Sequence, residues 1–206
     1  NSDQLTIQYQ AGQAGTFDCE GDGIPQNFYV IERYFVRMDS TVNPSVPGLA
    51  CASAIYDYNE PAAGSASGLD IATCKVPGAS TTTTNNISGS GTIIIPNVDY
   101  FRVMLGVSQN KGFATYPEDS LTAYMPIPNA AGLNTDLANR RIVSLKLGIL
   151  ARSNNPTATQ QANSDLRFTV LDKANTTLNS SAISGPTYLR SIYETTVLLR
   201  NARGGI

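Results

Sequence analysis

Apolar and polar residues alternate with a period of two along much of the chain. Successive side chains of a β-strand point to opposite faces, so this period predicts strands with one buried face. The alternation covers residues 5–9, 98–107, 143–149, 166–170 and 193–199. A further segment, residues 28–38, is apolar on both faces and is predicted to be a central or bent strand. The pattern predicts a mainly β protein built from antiparallel sheets.

Long polar stretches separate the predicted strands. Residues 59–68 and 78–91 have the composition of exposed loops, and residues 154–164 resemble a long hairpin loop. No internal repeat and no convincing linker divides the sequence. Residues 1–206 are therefore predicted to form one domain, with a loop elaboration around residues 52–91.

The amino-acid composition excludes many common enzyme mechanisms. The chain has no histidine, and only 15% of its residues are charged. Without histidine there is no Ser-His-Asp or Cys-His couple, no His-ligated zinc and no imidazole proton switch. The sequence also lacks a phosphate-binding glycine loop and a Gly-x-Ser-x-Gly turn. We therefore expect a protein that is not an enzyme and needs no cofactor.

Net charge and its distribution bear on the partners. The formal charge of −2 disfavours nucleic acid as a direct ligand. Residues 1–120 carry twelve acidic and five basic residues, whereas residues 121–206 carry four and nine. Because strands from both halves interleave in a sheet, a surface of mixed sign is expected. The alternative interpretation is a contact between oppositely charged regions of unlike subunits.

The three cysteines, Cys19, Cys51 and Cys74, match no zinc or redox motif. One disulfide with one remaining thiol implies an oxidising compartment. Three buried free thiols in a cytosolic protein are the alternative interpretation.

Two further groups are candidates for binding. Asp18, Glu20 and Asp22 alternate before a glycine, like the first half of a calcium loop, although Tyr29 stands where such a loop ends in glutamate. The alternative is a glycine-rich turn. The second group consists of tyrosines that could anchor a glycan or a partner, although such residues often only edge a sheet. These are Tyr29, Tyr34, Tyr56, Tyr58 and Tyr124.

The C-terminal segment is the most distinctive part of the chain. Residues 188–201 read Tyr-Leu-Arg-Ser-Ile-Tyr-Glu-Thr-Thr-Val-Leu-Leu-Arg-Asn. This segment closely resembles the closing strand of PilW-type minor pilins of bacterial type IV pili, with an arginine, an aromatic, paired threonines and a final Arg-Asn. Other blocks that resemble the family follow in the same order, namely residues 2–10, 18–19, 27–30, 49–51, 95–107 and 142–153.

This resemblance implies a pilin-like globular head made of antiparallel sheets. It also implies a missing N-terminal helix before Asn1, which would anchor the full-length protein in the inner membrane before it joins the extracellular pilus. The implied role is a structural subunit of the tip complex that primes assembly. Its partners would be other minor pilins and the major pilin, and the complex can carry a large tip adhesin. J-type pseudopilins of type II secretion are a related alternative, and a glycan-binding adhesin domain is another.

The resemblance also implies a disulfide. If the family's pairing holds, Cys19 bonds Cys51 and Cys74 is free. The stretch 52–91, which contains Cys74, is longer than the family usually carries. If this stretch forms its own hairpin, Cys51–Cys74 is the rival pairing.

Overall fold

The computed structural model describes residues 2–56, 86–108, 123–128, 137, 140–157, 167–176 and 187–199. These residues form twelve strands and no helix, so within them no helix could cross a membrane. The strands are β1 (Gln4–Gln10), β2 (Thr16–Phe17), β3 (Gly23–Ile24), β4 (Tyr29–Asp39), β5 (Val46–Tyr56), β6 (Thr92–Pro96), β7 (Val98–Ser108), β8 (Ala123–Pro126), β9 (Arg141–Arg152), β10 (Phe168–Val170), β11 (Lys173–Thr176) and β12 (Arg190–Leu198). The predicted mainly β, antiparallel fold is confirmed.

The chain divides into two compact units. The N-terminal unit is Gln4–Val98, and the C-terminal unit is Asn1–Asp3 together with Asp99–Ile206. Each unit has a four-stranded sheet and a small two-stranded hairpin. A single domain over residues 1–206 stays a prediction.

The sheet of the N-terminal unit has the order β1-β4-β5-β6 with antiparallel neighbours. Strands β4 and β5 form its centre and pair along eleven residues each. On one face, Val30 and Ile55 pair across these strands and pack with Ala11 and Ile24 from the segment that follows β1. The long apolar segment that predicted a central strand therefore becomes β4, as expected.

Strand β5 carries no clear strand pattern, although it lies in the middle of the sheet. Its sequence, VPGLACASAIY, is rich in small residues, yet ten of its eleven residues are buried. Small side chains suit a position that other parts of the protein cover on both faces. Gly91, which precedes β6, has a φ of +61°, and an added Cβ would collide with the Cys51 carbonyl oxygen. Glycine thus permits the close approach of this segment to β5.

The sheet of the C-terminal unit has the order β12-β9-β7-β8, and the β10–β11 hairpin packs against it. The core residues Tyr100, Leu150 and Val170 come from β7, β9 and the hairpin. A Cβ at Gly148 would lie 2.8 Å from a Val170 methyl carbon, so glycine in β9 makes room for the hairpin.

The alternation predicts one buried face for each strand, and three strands depart from this expectation. In β9, Gly148 and Leu150 of the other face are buried, whereas Leu147 and Ile149 of the predicted face are only half-buried. Strand β7 is buried on both faces, and the hairpin covers the face that carries Tyr100. Strand β12 is a strand as predicted, but its predicted buried face is wrong: Tyr193 is 61% exposed and Val197 is 43% exposed. The strand lies at the edge of the sheet, and residues 191–198 are exposed on both faces. Leu166, from the predicted strand that became β10, lies outside the described residues.

Candidate functional site

The alternating acids predicted from the sequence lie on one tight turn, residues 18–22, called here the acidic turn. The buried Asp18 accepts hydrogen bonds at Oδ1 from the backbone N–H groups of Glu20, at 3.0 Å, and Asp22, at 2.8 Å. The Asp18 N–H donates to the Asp22 carbonyl at 2.9 Å. A short acidic side chain that bonds its own backbone is a common way to close such a turn.

Ser53 of β5 joins the acidic turn to the sheet. Its hydroxyl donates to Asp18 Oδ2 at 2.5 Å, and its backbone N–H donates to Glu20 Oε2 at 2.9 Å. The other Glu20 oxygen accepts from the Asn86 side-chain amide at 3.0 Å. The two carboxylates are therefore partnered by hydrogen bonds within the protein, which offsets the cost of removing their charges from water.

A disulfide between Cys19 and Cys51 fastens the same turn to β5, with a Cα–Cα distance of 6.1 Å. This is the pairing that the family resemblance implies. The rival partner of Cys51, Cys74, lies outside the described residues. Cys19 is thus bonded covalently to Cys51, and its neighbours Asp18 and Glu20 accept hydrogen bonds from Ser53. Cys51 and Ser53 are two positions apart on β5.

Glu32 is a buried carboxylate in the centre of β4, on the same side of the sheet as Cys51 and Ser53. One oxygen accepts from the Cys19 N–H at 2.9 Å and from the Tyr9 hydroxyl at 3.1 Å. The other accepts from the Tyr34 hydroxyl at 2.7 Å. Burial, together with this carboxylate, raises the pKa of both tyrosines well above the usual value.

The three candidate calcium ligands are therefore brought together, but Asp18 and Glu20 already accept hydrogen bonds from the protein. Among the described residues, no group of three or more His, Cys, Asp or Glu side chains is arranged to hold a metal ion. Burial and the nearby carboxylates of Asp18 and Glu20 raise the pKa of Asp22. The geometry matches the alternative interpretation, a glycine-containing turn beside a disulfide.

The candidate tyrosine anchors are dispersed. Tyr56 is 1% exposed, accepts a hydrogen bond from the Gln8 amide and stacks on Tyr29 at 5.8 Å between ring centroids. The prediction that Tyr56 is a surface anchor is therefore wrong, because its side chain is covered by neighbouring residues of the same unit. Tyr124 lies in the other unit beneath Lys146, and Tyr58 lies outside the described residues.

The C-terminal unit holds a buried charge cluster around Arg102. Its guanidinium forms paired hydrogen bonds of 2.7 Å to the two Asp172 oxygens and donates to Asp3 at 2.9 Å. The hydrogen bonds to Asp172 raise the pKa of Arg102 and lower the pKa of Asp172. This cluster ties the chain start and the β10–β11 turn to β7.

A second cluster joins Asp99 to two arginines. The Arg190 Nε donates to Asp99 at 2.7 Å, and Arg152 lies 3.8 Å from the other carboxylate oxygen. The Arg152 guanidinium also lies 4.4 Å from the centre of the Tyr188 ring. The arginine of the C-terminal segment therefore has its partner, Asp99, in β7, and Arg152 of β9 contacts the ring of Tyr188 just before β12.

The end of the predicted loop elaboration is attached to the N-terminal unit. Residues 57–85 lie outside the described part, but residues 86–91 contact β4 and β5. Arg33 donates to the Gly89 carbonyl at 2.6 Å, and Arg37 donates to the Gly91 carbonyl at 2.9 Å. The Asn86 N–H donates to the Ser53 carbonyl at 2.8 Å, which brings this segment beside the acidic turn.

Several of the exposed apolar side chains lie on two strands at the edges of the sheets. In the N-terminal unit, Ile94 and Ile95 of β6 are 39% and 41% exposed. In the C-terminal unit, β12 exposes Ile192, Tyr193, Val197 and Leu198. Strand edges with exposed apolar residues are suited to pairing with another chain. They are the best candidates for an interaction surface among the described residues.

Sequence reasoning did not single out Glu32 or Arg102. The signal that could have found them is a charged residue in the interior of a long, mostly apolar strand. Such a residue requires a buried partner, and each has one or more.

The sequence was compared with known protein families. The model of the family described as PilW, type IV pilus-assembly protein W, matches residues 33–201. The match defines the class as type IV pilus-assembly proteins, which are associated with the cell envelope or the pilus. The chain belongs to the PilW family, a structural family of pilus assembly. No curated protein and no solved structure matches the chain.

Proposed function

We propose that this chain is the globular part of a minor pilin, which helps to form the tip complex that primes type IV pilus assembly. The observation that carries the proposal is the PilW match over residues 33–201, which includes the larger part of the central strand β4, all of β5 and the edge strand β12. Such a subunit acts by binding other pilus proteins, so its exposed surfaces are the candidates for these contacts.

The exposed edge of β6 supports this proposal. Ile94 and Ile95 follow each other at a register shift between β5 and β6, and both are exposed. A partner that covered this edge would bury the part of each side chain that is still exposed, 39% for Ile94 and 41% for Ile95. This burial contributes on the order of 1 kcal/mol per isoleucine to association before entropic costs. The acidic turn and the disulfide hold the neighbouring strand β5 in place for such a contact.

We also propose that the protein has no catalytic activity. The supporting observations are the absence of histidine from the sequence and the engagement of Asp18, Glu32 and Arg102 in hydrogen bonds inside the two units. In the proposed life cycle, an N-terminal helix anchors the full-length protein in the inner membrane, and the globular part later lies at the tip of the extracellular pilus.

A J-type pseudopilin of type II secretion would use the same kind of contacts, and the identity of the binding partners separates the two functions. The glycan-binding alternative relied on Tyr56 and Tyr58 in a surface loop. It loses support because Tyr56 is buried under Gln8 and Tyr29.

The test is reconstitution with the globular parts of the other minor pilins from the same operon. We expect a complex that survives size-exclusion chromatography, and Ile95→Asp should weaken it. Val42→Asp is the matched control, because Val42 is equally exposed but lies in a turn. Failure to bind every one of these pilins, or selective binding to type II secretion pseudopilins, would overturn the proposal.

A further inference from the structure

Strand β12 has an outer edge with which no strand pairs among the described residues. Its inner edge pairs with β9 in continuous register from Arg190 to Leu198. Natural edge strands are commonly protected by proline, lysine or a bulge. Strand β12 contains no proline and no lysine, and its glutamate, Glu194, accepts a hydrogen bond from the Leu171 N–H at 2.9 Å.

The hydrogen-bond pattern shows which backbone groups face outward. The Ser153 N–H donates to the Leu189 carbonyl, and the Leu199 N–H donates to the Val143 carbonyl. Both pairs fit the register of β12 and β9, so the odd-numbered residues of β12 bond to β9. The backbone groups of the intervening even-numbered residues, Ile192, Glu194, Thr196 and Leu198, therefore point away from the sheet.

The side chains along this edge follow a symmetric order. Residues 192–198 read Ile-Tyr-Glu-Thr-Thr-Val-Leu, with apolar residues at both ends and polar residues in the centre. A two-fold axis through Thr195 places Ile192 opposite Leu198 of a second copy and Tyr193 opposite its Val197. The same axis places Glu194 opposite Thr196 and Thr195 opposite itself.

This register also satisfies the backbone. It pairs even-numbered residues with even-numbered residues, so the outward N–H and C=O groups of the two copies can bond to each other. Moving the axis to residue 194 would place Glu194 directly opposite Glu194, which is unfavourable. Moving it to residue 196 would place Glu194 opposite Leu198. The axis at Thr195 is the one of these three that gives every exposed apolar side chain of the strand an apolar partner.

We propose that the outer edge of β12 binds a second copy of this chain, by antiparallel pairing across a two-fold axis at Thr195. The pairing joins two four-stranded sheets into one and covers Ile192, Tyr193, Val197 and Leu198, which are 39–63% exposed. Arg190 adds no unpaired charge at the edge, because its guanidinium donates to Asp99. The pairing follows from the register and sequence of β12 and does not depend on the role proposed in the pilus.

The dimer is expected to be weak. Seven paired residues span only about 24 Å, and stable complexes bury about 800 Å² per partner. A cross-linking test is therefore more sensitive than chromatography. Residues opposite each other in a non-hydrogen-bonded pair have Cα atoms about 4.5 Å apart, within the range that a disulfide can bridge.

The experiment introduces single cysteines into the 206-residue chain in a Cys74→Ser background. Thr195→Cys should give an intermolecular disulfide under mild oxidation. Thr196→Cys is the matched control, and its yield should be at least about tenfold lower, because two copies of residue 196 are offset by two positions and lie too far apart. A mixture of Tyr193→Cys and Val197→Cys should form the mixed dimer, while neither variant should cross-link alone.

A proline scan gives an independent readout by sedimentation analysis at high protein concentration. Thr196→Pro removes an outward N–H and should abolish the dimer while leaving the pairing with β9 intact. Thr6→Pro is the matched control on the edge strand β1 and should leave the dimer unchanged. Equal cross-linking at positions 195 and 196, no cross-linking at 195, or attachment of position 195 only to a different pilus protein would overturn the proposed self-pairing.

Discussion

The two units differ in the interactions that hold buried polar side chains in place. Each fixes polar side chains against a buried sheet, but the N-terminal unit uses a disulfide and hydrogen bonds to carboxylates, whereas the C-terminal unit uses arginine–aspartate pairs. Their charges differ accordingly. Residues 4–98 contain three Lys and Arg against eight Asp and Glu, and the remainder contains eleven against eight. The comparison indicates that the units should respond differently to reduction and to pH.

Loss of the disulfide should have the largest effect. The bond closes a loop with a sequence separation of 32 residues, and the chain-entropy model assigns such a loop about 3–4 kcal/mol of unfolding free energy. Cys19→Ser combined with Cys51→Ala should lower the stability of the N-terminal unit by this amount. Urea unfolding, with hydrogen exchange followed separately in each unit, measures the change.

The matched control for the disulfide is Cys74→Ser, which should leave stability unchanged. If the double variant and the control lose equal stability, or if exchange rises equally in both units, the contrast between the units is wrong.

Removal of Arg102 should lower the unfolding free energy by somewhat less than loss of the disulfide does. This loss should be confined to the C-terminal unit. Arg102→Met keeps much of the volume but leaves Asp3 and Asp172 without their cation. Breaking a well-buried pair costs about 3–5 kcal/mol, and we expect about 2–3 kcal/mol here because the Asp172 side chain is 30% exposed. Asp172→Asn should cost less, since Arg102 keeps Asp3. A larger loss in the N-terminal unit would contradict the assignment.

Glu32 offers a finer test within the N-terminal unit. Glu32→Gln removes the charge and one acceptor from the group that binds Tyr9, Tyr34 and the Cys19 N–H. The expected cost is about 1–3 kcal/mol, since a buried donor then lacks its partner. Tyr34→Phe removes only one donor and should cost about 1 kcal/mol. Thermal unfolding of both variants provides the comparison, and a neutral Glu32→Gln would contradict the role of this carboxylate.

The smallest expected effects are those of pH, and they have opposite signs for Tyr34 and Asp172. The pKa of Tyr34 is raised in the folded protein, so its contribution is complete below about pH 10 and is lost as pH rises further. The pKa of Asp172 is lowered, so its contribution is complete above about pH 4 and is lost as pH falls. Urea unfolding should therefore show a loss of stability at alkaline pH that Tyr34→Phe reduces, and a loss at acid pH that Asp172→Asn reduces. A variant that leaves the corresponding loss unchanged would contradict the role of its residue.

The sequence predicts some of these features and misses others for identifiable reasons. The alternation is sufficient to locate β1, β7, β9 and β12, because long side chains of alternating character reveal a two-residue period. It misses β5, whose alanines, glycine and serine carry little hydrophobic contrast.

The candidate site was predictable only in part. The acids of the acidic turn were visible as a group because they are adjacent in sequence. Their partner Ser53 was not visible, since 33 residues separate it from Glu20. The exposure of β12 was also hidden, because alternation does not distinguish an edge strand from a central one.

The central claim is that this chain contributes to type IV pilus assembly as a structural subunit. Counting surface pili by electron microscopy, in the source bacterium without the gene, tests it most directly. We predict far fewer pili per cell in the deletion strain, with the number restored by the full-length gene. A deletion strain with pili of normal number and length would contradict the claim.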